Sequence, residues 1–373
     1  MSSTIYKNEI IKRKFYEYLL NSKGFSTLTV QCYEDAIYLW EDYTGKADFA
    51  NFTKTKAEDF KVWLKNKKKM RSEEKVSLSY CYDNLRHLKT FFDWLSKQSG
   101  YRSKINQIDY EYLNLSKQEA RIATQPKHKQ CPNHEEVKAV IENIKGKTEV
   151  EMRDKALISL TLLTGARISA ISSLPMQSFD RVKLTIDQDP RLGVKTKFSK
   201  RIITTLIPFG YKESLDYFVT WFDYLEKQKK FSANDPIFPA TKVENGKENL
   251  GYFSTNEVAP IYWNGSASAR KVFEKRFNQA NVTYYHPHTF RHLLVKTISK
   301  LPLTEEQKKA ISQNLGHEDV GTTFGSYGYG KISEDRQVEI IAEIDFDGKK
   351  QEVKYVLGTD DIKELMREMR DSN

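Results

Sequence analysis

His286-Pro-His288-Thr-Phe-Arg291-His292, followed by Leu315-Gly-His317-Glu-Asp-Val-Gly-Thr-Thr-Phe-Gly-Ser-Tyr327, is the most informative part of the 373-residue chain. Helical periodicity runs over 288–299 and again over 304–315. The first helix therefore opens on two histidines and an arginine, and the second ends on a Leu-Gly-His step. Taken separately these are weak signals, since His-x-x-Arg recurs by chance and a Gly-His pair often marks no more than a turn. Here they follow one another in a fixed order, and a tyrosine stands ten residues beyond His317.

Two upstream segments extend the pattern. Thr164-Gly-Ala-Arg167-Ile-Ser closes an apolar helix predicted over 153–163. Residues 182–208 then switch to period two, which predicts strands at 182–186, 193–197 and 202–207, with Phe198-Ser-Lys200 as a turn. The segment Lys195-Thr-Lys197-Phe-Ser-Lys200-Arg201 lies in this small antiparallel sheet. Helices at 211–228 and 266–280, a helix opening at Asn133 with Glu136 as its capping partner, a short strand at 352–357 and a closing charged helix from about 360 complete the second half.

In this order and spacing the four segments resemble the tyrosine recombinase (phage integrase) family: Thr-Gly-x-Arg, a lysine in a β-hairpin, His-x-x-Arg-His, and Leu-Gly-His followed by Tyr. The resemblance covers 131–335. The N-terminal half is similar to the family's helical core-binding domain, through Lys23-Gly-Phe-Ser-x-x-Thr29 and Leu85-x-x-Leu-x-x-Phe-Phe-x-Trp-Leu95. The resemblance implies a mainly α fold with a small antiparallel β-sheet, in which a helical core-binding (SAM-like) domain and a catalytic domain form a C-shaped clamp on duplex DNA. It also implies catalytic roles for Arg167, Lys197, His288, Arg291, His317 and Tyr327. His288 would assist proton transfer at the tyrosine, and His317 would hydrogen-bond the scissile phosphate.

These residue types suit that chemistry. A tyrosyl oxygen that breaks a phosphodiester passes through a phosphorane-like state with extra negative charge. Two guanidiniums, Arg167 and Arg291, can hold its nonbridging oxygens through forked, charge-assisted hydrogen bonds. The leaving 5′ oxygen needs a proton, and burial beside other cations tunes a lysine toward general acid work. Lys197 is the first choice, with Lys195 in reserve. Tyrosine titrates near pH 10 when unperturbed, so it needs cationic surroundings to attack. Nothing in the scheme requires a metal or ATP, and no cofactor is expected. Ser326-Tyr327-Gly-Tyr329 offers two phenols, of which the offset from His317 favours Tyr327. The chain also departs from the family in carrying Ala170 where a carboxylate usually follows the first arginine, and Asp154 or Asp180 are the candidate substitutes.

The rest of the sequence agrees with a DNA-acting protein. The formal charge is +10, which suits a polyanion because Lys and Arg displace counterions condensed on phosphates. Residues 1–100 read as a four-helix core-binding domain, with Ser26, the Thr55–Glu58 box and Ser77 as helix starts. Residues 101–130 read as a basic linker, 131–335 as the catalytic domain, and 336–373 as a tail that packs in cis or on a neighbouring protomer. Outside the active site, Lys67, Lys68, Lys69, Arg71, Arg86, Lys89, Lys200 and Arg201 are the candidate DNA contacts. The three cysteines are far apart. His128, Cys131 and His134 lack a fourth ligand and a zinc spacing, so no metal is expected. No signal peptide or membrane span is read, and a cytoplasmic, nucleoid-associated location is expected.

The resemblance further implies a homotetramer on double-stranded DNA with inverted-repeat sites, a Holliday junction, and an accessory directionality or bending factor. On this reading the chain is the integrase or transposase of a mobile element. The alternatives are a Xer-like resolvase or invertase, a type IB topoisomerase-like enzyme, and a non-catalytic DNA-binding protein that kept the fold.

Overall fold

A computed structural model describes residues 3–70, 72–125, 130–207, 211–245 and 252–325. The chain divides into two compact units, Met1–Lys127 and His128–Asn373.

The first unit is helical: α1 (Ser3–Glu17), α2 (Thr27–Thr44), α3 (Lys54–Asn66), α4 (Leu78–Leu95), α5 (Gln107–Glu111) and α6 (Lys117–Thr124). Ser26 caps α2 and Ser77 caps α4, each accepting from a backbone N–H three residues on. The cap of α3 is Thr53, which accepts from Lys56, and not the Thr55–Glu58 box that the sequence suggested. The apolar stripes converge on Phe15, Trp40, Phe60, Leu88, Phe91 and Phe92, all essentially buried, with Trp40 and Phe92 meeting edge to face at 5.2 Å.

Much of the expected linker is folded onto this unit. Asn106 caps α5, and a Ser116–Glu119 capping box starts α6. Leu113 is buried, the Tyr110 hydroxyl donates to Asp93 at 2.8 Å, and Lys65 pairs with Glu119 at 2.8 Å. The sequence there is basic but also carries two capping signals and an apolar face, and burial of that face decides the outcome.

The second unit is built round α8 (Glu149–Thr164), whose residues from Ala156 to Thr164 are all buried. A helix apolar on every side must be enclosed. It is enclosed by α7 (His134–Asn143), α10 (Glu213–Asp223), α11 (Ser266–Gln279) and α12 (Thr289–Ile298). The expected Asn133–Glu136 capping box is present on α7. The short α9 (Ile168–Ile171) follows α8, and α13 (Glu305–Asn314) and α14 (Val320–Thr323) follow α12.

The sheet is antiparallel, β1 (Phe179–Asp180), β2 (Thr185–Gln188) and β3 (Ile202–Thr205), in the register Ile186↔Thr204 and Gln188↔Ile202. The strand expected at 193–197 is absent. β2 already occupies the ladder that pairs with β3, and Asp189 caps a single 3₁₀ turn at Pro190–Leu192 instead. A second hairpin, β4 (Thr241–Asn245) with β5 (Tyr252–Val258), was not predicted. Its sequence is polar, and Val243 is more than half exposed, so alternation carried little signal. The expected strand at 352–357 and the helix from 360 lie outside the described residues, as does the whole 336–373 tail. No helix among the described residues is long and apolar enough to cross a membrane.

Candidate active site

The site begins at the end of α8. Gly165 adopts a left-handed conformation (φ 55°, ψ 17°) and its N–H returns to the Thr161 carbonyl at 2.9 Å, which closes the helix. The Thr164 hydroxyl accepts from Ala166 N–H at 3.2 Å, and Arg167 then opens α9. A Cβ on Gly165 would meet the Cα of Arg291 and the Leu315 side chain at 3.4 Å. The glycine thus lets three family segments, the Thr-Gly-x-Arg turn, α12 and the Leu-Gly-His step, pack together.

Arg291 is 2% exposed and donates through Nη2 to the Leu315 carbonyl. A buried guanidinium so anchored keeps its fork in one orientation without DNA. His288 stands one turn earlier at the start of α12, its ring edge-on to His292 with centroids 5.8 Å apart.

His317 follows Gly316, which has φ +74° and lies so close to β3 that a Cβ would overlap Cδ1 of Ile202 and approach its Cγ1 to 3.0 Å. Asn314 fixes the same turn from the other side. Its side chain accepts from Thr205 N–H at 2.6 Å and donates to the Thr205 carbonyl at 3.2 Å, as a neighbouring strand would. The imidazole is 6% exposed, and its Nδ1 lies 2.8 Å from the Thr323 hydroxyl, which in turn accepts from Ser312 at 2.7 Å. The contact joins Ser312, Thr323 and the imidazole in one buried chain, its direction at Nδ1 set by the ring's tautomer. Burial, and then the positive field of Arg291, Arg167, Lys197 and Lys200, holds the His317 pKa down at about 4. His317 is therefore a neutral imidazole at neutral pH, in the positive field of those four side chains.

Lys197 is among the charges that hold the His317 pKa down. The Lys195 N–H donates to Ser173 Oγ at 2.8 Å, and the residue lines a groove with Tyr262 and Trp263. Lys197 lies in a turn, not on a strand, and its side chain is exposed. Lys200 pairs with Glu318 at 2.9 Å, and Arg201 with Asp187 at 2.5 Å. Tyr327 and Tyr329 lie outside the described residues.

Neither candidate for the missing carboxylate touches Arg167. Asp154 is buried between Arg153 and Arg276, at 2.8 and 2.7 Å, and Asp180 accepts from the turn N–H groups of Val182 and Lys183. In the first unit, Lys67 pairs with Asp42, Lys68 with Glu73, Lys69 with Glu74, and Lys89 with Glu111, while Arg86 is exposed near Asp83. Such surface pairs contribute under about 1 kcal/mol each. Arg71 and His128 lie outside the described residues. Among those described, no three His, Cys, Asp or Glu residues gather to hold a metal. Ser312, Asn314, Gly316 and Thr323 were not singled out in the sequence. Only Gly316, inside the Leu-Gly-His step, carried any signal there.

Residues 131–329, more than half of the chain, match the phage integrase family. Tyrosine recombinase XerC of Lactobacillus leichmannii is 22% identical over 323 residues, spanning 84% of this chain and 92% of its own length. Two solved structures share the fold. XerH site-specific recombinase bound to palindromic difH substrate, in a post-cleavage complex, has a TM-score of 0.55 at 18% identity and covers 89% of this chain and 83% of its own. A lambda integrase tetramer bound to a Holliday junction has a TM-score of 0.52 at 13% identity, with 87% and 78% covered. The chain belongs to the phage integrase family of tyrosine recombinases, enzymes that break and rejoin DNA at specific sites.

Proposed function

We propose that the enzyme cleaves duplex DNA with Tyr327, leaving a 3′-phosphotyrosine and a free 5′-OH. Arg167 and Arg291 hold the nonbridging oxygens, and the His317 Nε2–H donates to the same phosphate. As the bond from the Tyr327 oxygen to phosphorus forms, the bond to the 5′ oxygen breaks. Lys197 gives that oxygen its proton, and the phenolic proton passes toward His288. A 5′-OH from a partner strand reverses the step and joins the strands without an external energy source. The observation that carries this reading is the close packing of the Thr-Gly-x-Arg turn, α12 and the Leu-Gly-His step, with buried Arg291 bonded to the Leu315 carbonyl two residues before buried His317.

The working assembly is a homotetramer on two inverted-repeat sites, passing through a Holliday junction, in the cytoplasm on the nucleoid and with an accessory directionality or bending factor. A lambda integrase with this fold forms such a tetramer on such a junction, which supports the reading. The biological role proposed is integration and excision of a mobile element. The second reading, Xer-like resolution, is favoured by the XerC alignment, which extends over 84% of the chain.

A nicked suicide substrate tests the chemistry. Wild type should trap a covalent adduct and Tyr327→Phe none, and equal trapping by both would remove Tyr327 as nucleophile. Strand exchange between two labelled oligonucleotide sites separates recombination from topoisomerase-like relaxation.

A further inference from the structure

The turn that carries Lys197 is built against backbone preference. Phe198 has φ 59° and ψ 25°, and Ser199 has φ 49°. Two successive left-handed residues call for glycine, asparagine or aspartate. A bulky aromatic there is a steric outlier of the kind that accumulates at functional sites. The ring is not kept for the core either, because Phe198 is 88% exposed. The turn projects between two anchors, the Lys195 N–H on Ser173 and the Arg201 guanidinium on Asp187. The Lys197 ammonium sits over the Phe198 ring, 4.7 Å from its centroid.

A strained backbone, a fully presented aromatic ring and a cation resting on its face form one device. We propose that Phe198 is a positioning residue for DNA cleavage: its ring packs against the deoxyribose beside the scissile phosphate and holds the Lys197 ammonium at the 5′ leaving oxygen. This rests on the role given above to Lys197. Without DNA, Lys197 is exposed. With DNA in place, the ring becomes the apolar wall that excludes water from the ammonium while its face keeps the charge in register. The proton still moves from Lys197 to the 5′ oxygen as the phosphorus–oxygen bond breaks, so Phe198 adds no step.

The test compares Phe198→Gly and Phe198→Trp with wild type on two suicide substrates, one with the natural 5′ oxygen and one with sulfur at that position. A thiolate leaves without a proton. Glycine fits the turn better than phenylalanine, so Phe198→Gly should fold at least as stably as wild type. Its cleavage of the oxygen substrate should fall about tenfold, the scale of a desolvated cation–π contact. Cleavage of the sulfur substrate should stay near wild type, and Phe198→Trp should keep the rate on both. Unchanged cleavage of the oxygen substrate by Phe198→Gly overturns the inference. Equal loss on both substrates also overturns it, since the ring would then bind DNA without placing the proton donor. If wild type forms no adduct on either substrate, the tyrosine-cleavage reading fails first, and the two failures are told apart.

Discussion

The two halves of the candidate site are built in opposite ways. Around Arg291 and His317 the side chains are buried and held in place: a guanidinium on a carbonyl, a three-member hydroxyl–imidazole chain, and glycines at 165 and 316 where a Cβ would meet its neighbours. Around Lys197 the side chains are exposed, the backbone is strained, and the surrounding ion pairs lie at the surface. Groups that bind a phosphate must be in place before it arrives, because reorienting them during the reaction raises the barrier. A proton donor must reach an oxygen that only the bound DNA presents, so it belongs on an element that DNA completes. On the roles proposed above, the difference gives preorganisation to one half and induced assembly to the other.

Truncating one cation from each half breaks this comparison most sharply. Arg291→Ala and Lys197→Ala should each slow cleavage by about a thousandfold on the oxygen substrate. Only Lys197→Ala should recover when sulfur replaces the leaving oxygen, because Arg291 acts on the nonbridging oxygens in either case. Lys197→Ala should also leave the melting temperature unchanged, since its side chain is exposed. Recovery of both variants, or of neither, in single-turnover cleavage would erase the division of labour.

Gly316→Ala comes next. The new methyl meets buried Ile202, and φ +74° is unfavourable for alanine, so stability should fall by about 2–3 kcal/mol in chemical denaturation. Ile202→Val in the same chain removes the overlapping Cδ1 and should restore part of that loss, leaving the backbone strain. If Ile202→Val restores nothing, the tight packing of the Leu-Gly-His turn on β3 is not what holds His317.

The same division explains what the sequence disclosed. Arg167, His288, Arg291 and His317 were singled out because they fall in short motifs, Thr-Gly-x-Arg, His-x-x-Arg and Leu-Gly-His, that follow one another in a fixed order. The helices of the first unit were legible from apolar periodicity, since Trp40, Leu88 and Phe92 are core residues with no other role. The supports of His317 were not. Thr323 and Ser312 are ordinary hydroxyls, and only the fold brings them within hydrogen-bonding distance of the ring and of each other. Period-two alternation placed a strand at 193–197, but alternation cannot say which of two candidate segments takes the ladder on β3, and β2 took it. Phe198-Ser199 was read as a turn, yet its left-handed geometry is set by the anchors at Lys195 and Arg201 and not by its own residue types. The carboxylate expected after Arg167 has no substitute in Asp154, because Arg153 and Arg276 consume that charge.

The buried half should also show a pH dependence of its own. With its pKa near 4, the folded His317 stays neutral where an unfolded histidine, titrating near 6.5, already binds a proton. As pH falls from about 6.5 to 4 the unfolded chain gains that proton and the folded one does not, so stability drops across this window and levels off below it. The full shift corresponds to about 3 kcal/mol. His317→Gln keeps a polar group beside Thr323 but has nothing to titrate. The difference in unfolding free energy between wild type and His317→Gln, measured by urea titration at pH 7, 6, 5 and 4, should shrink or reverse steadily toward pH 4. Carboxylates elsewhere titrate in both proteins and cancel in the difference. A flat difference would mean that the imidazole is not held neutral by burial and by the cations around it, and the phosphate-binding half would then have to be completed by DNA just as the hairpin is.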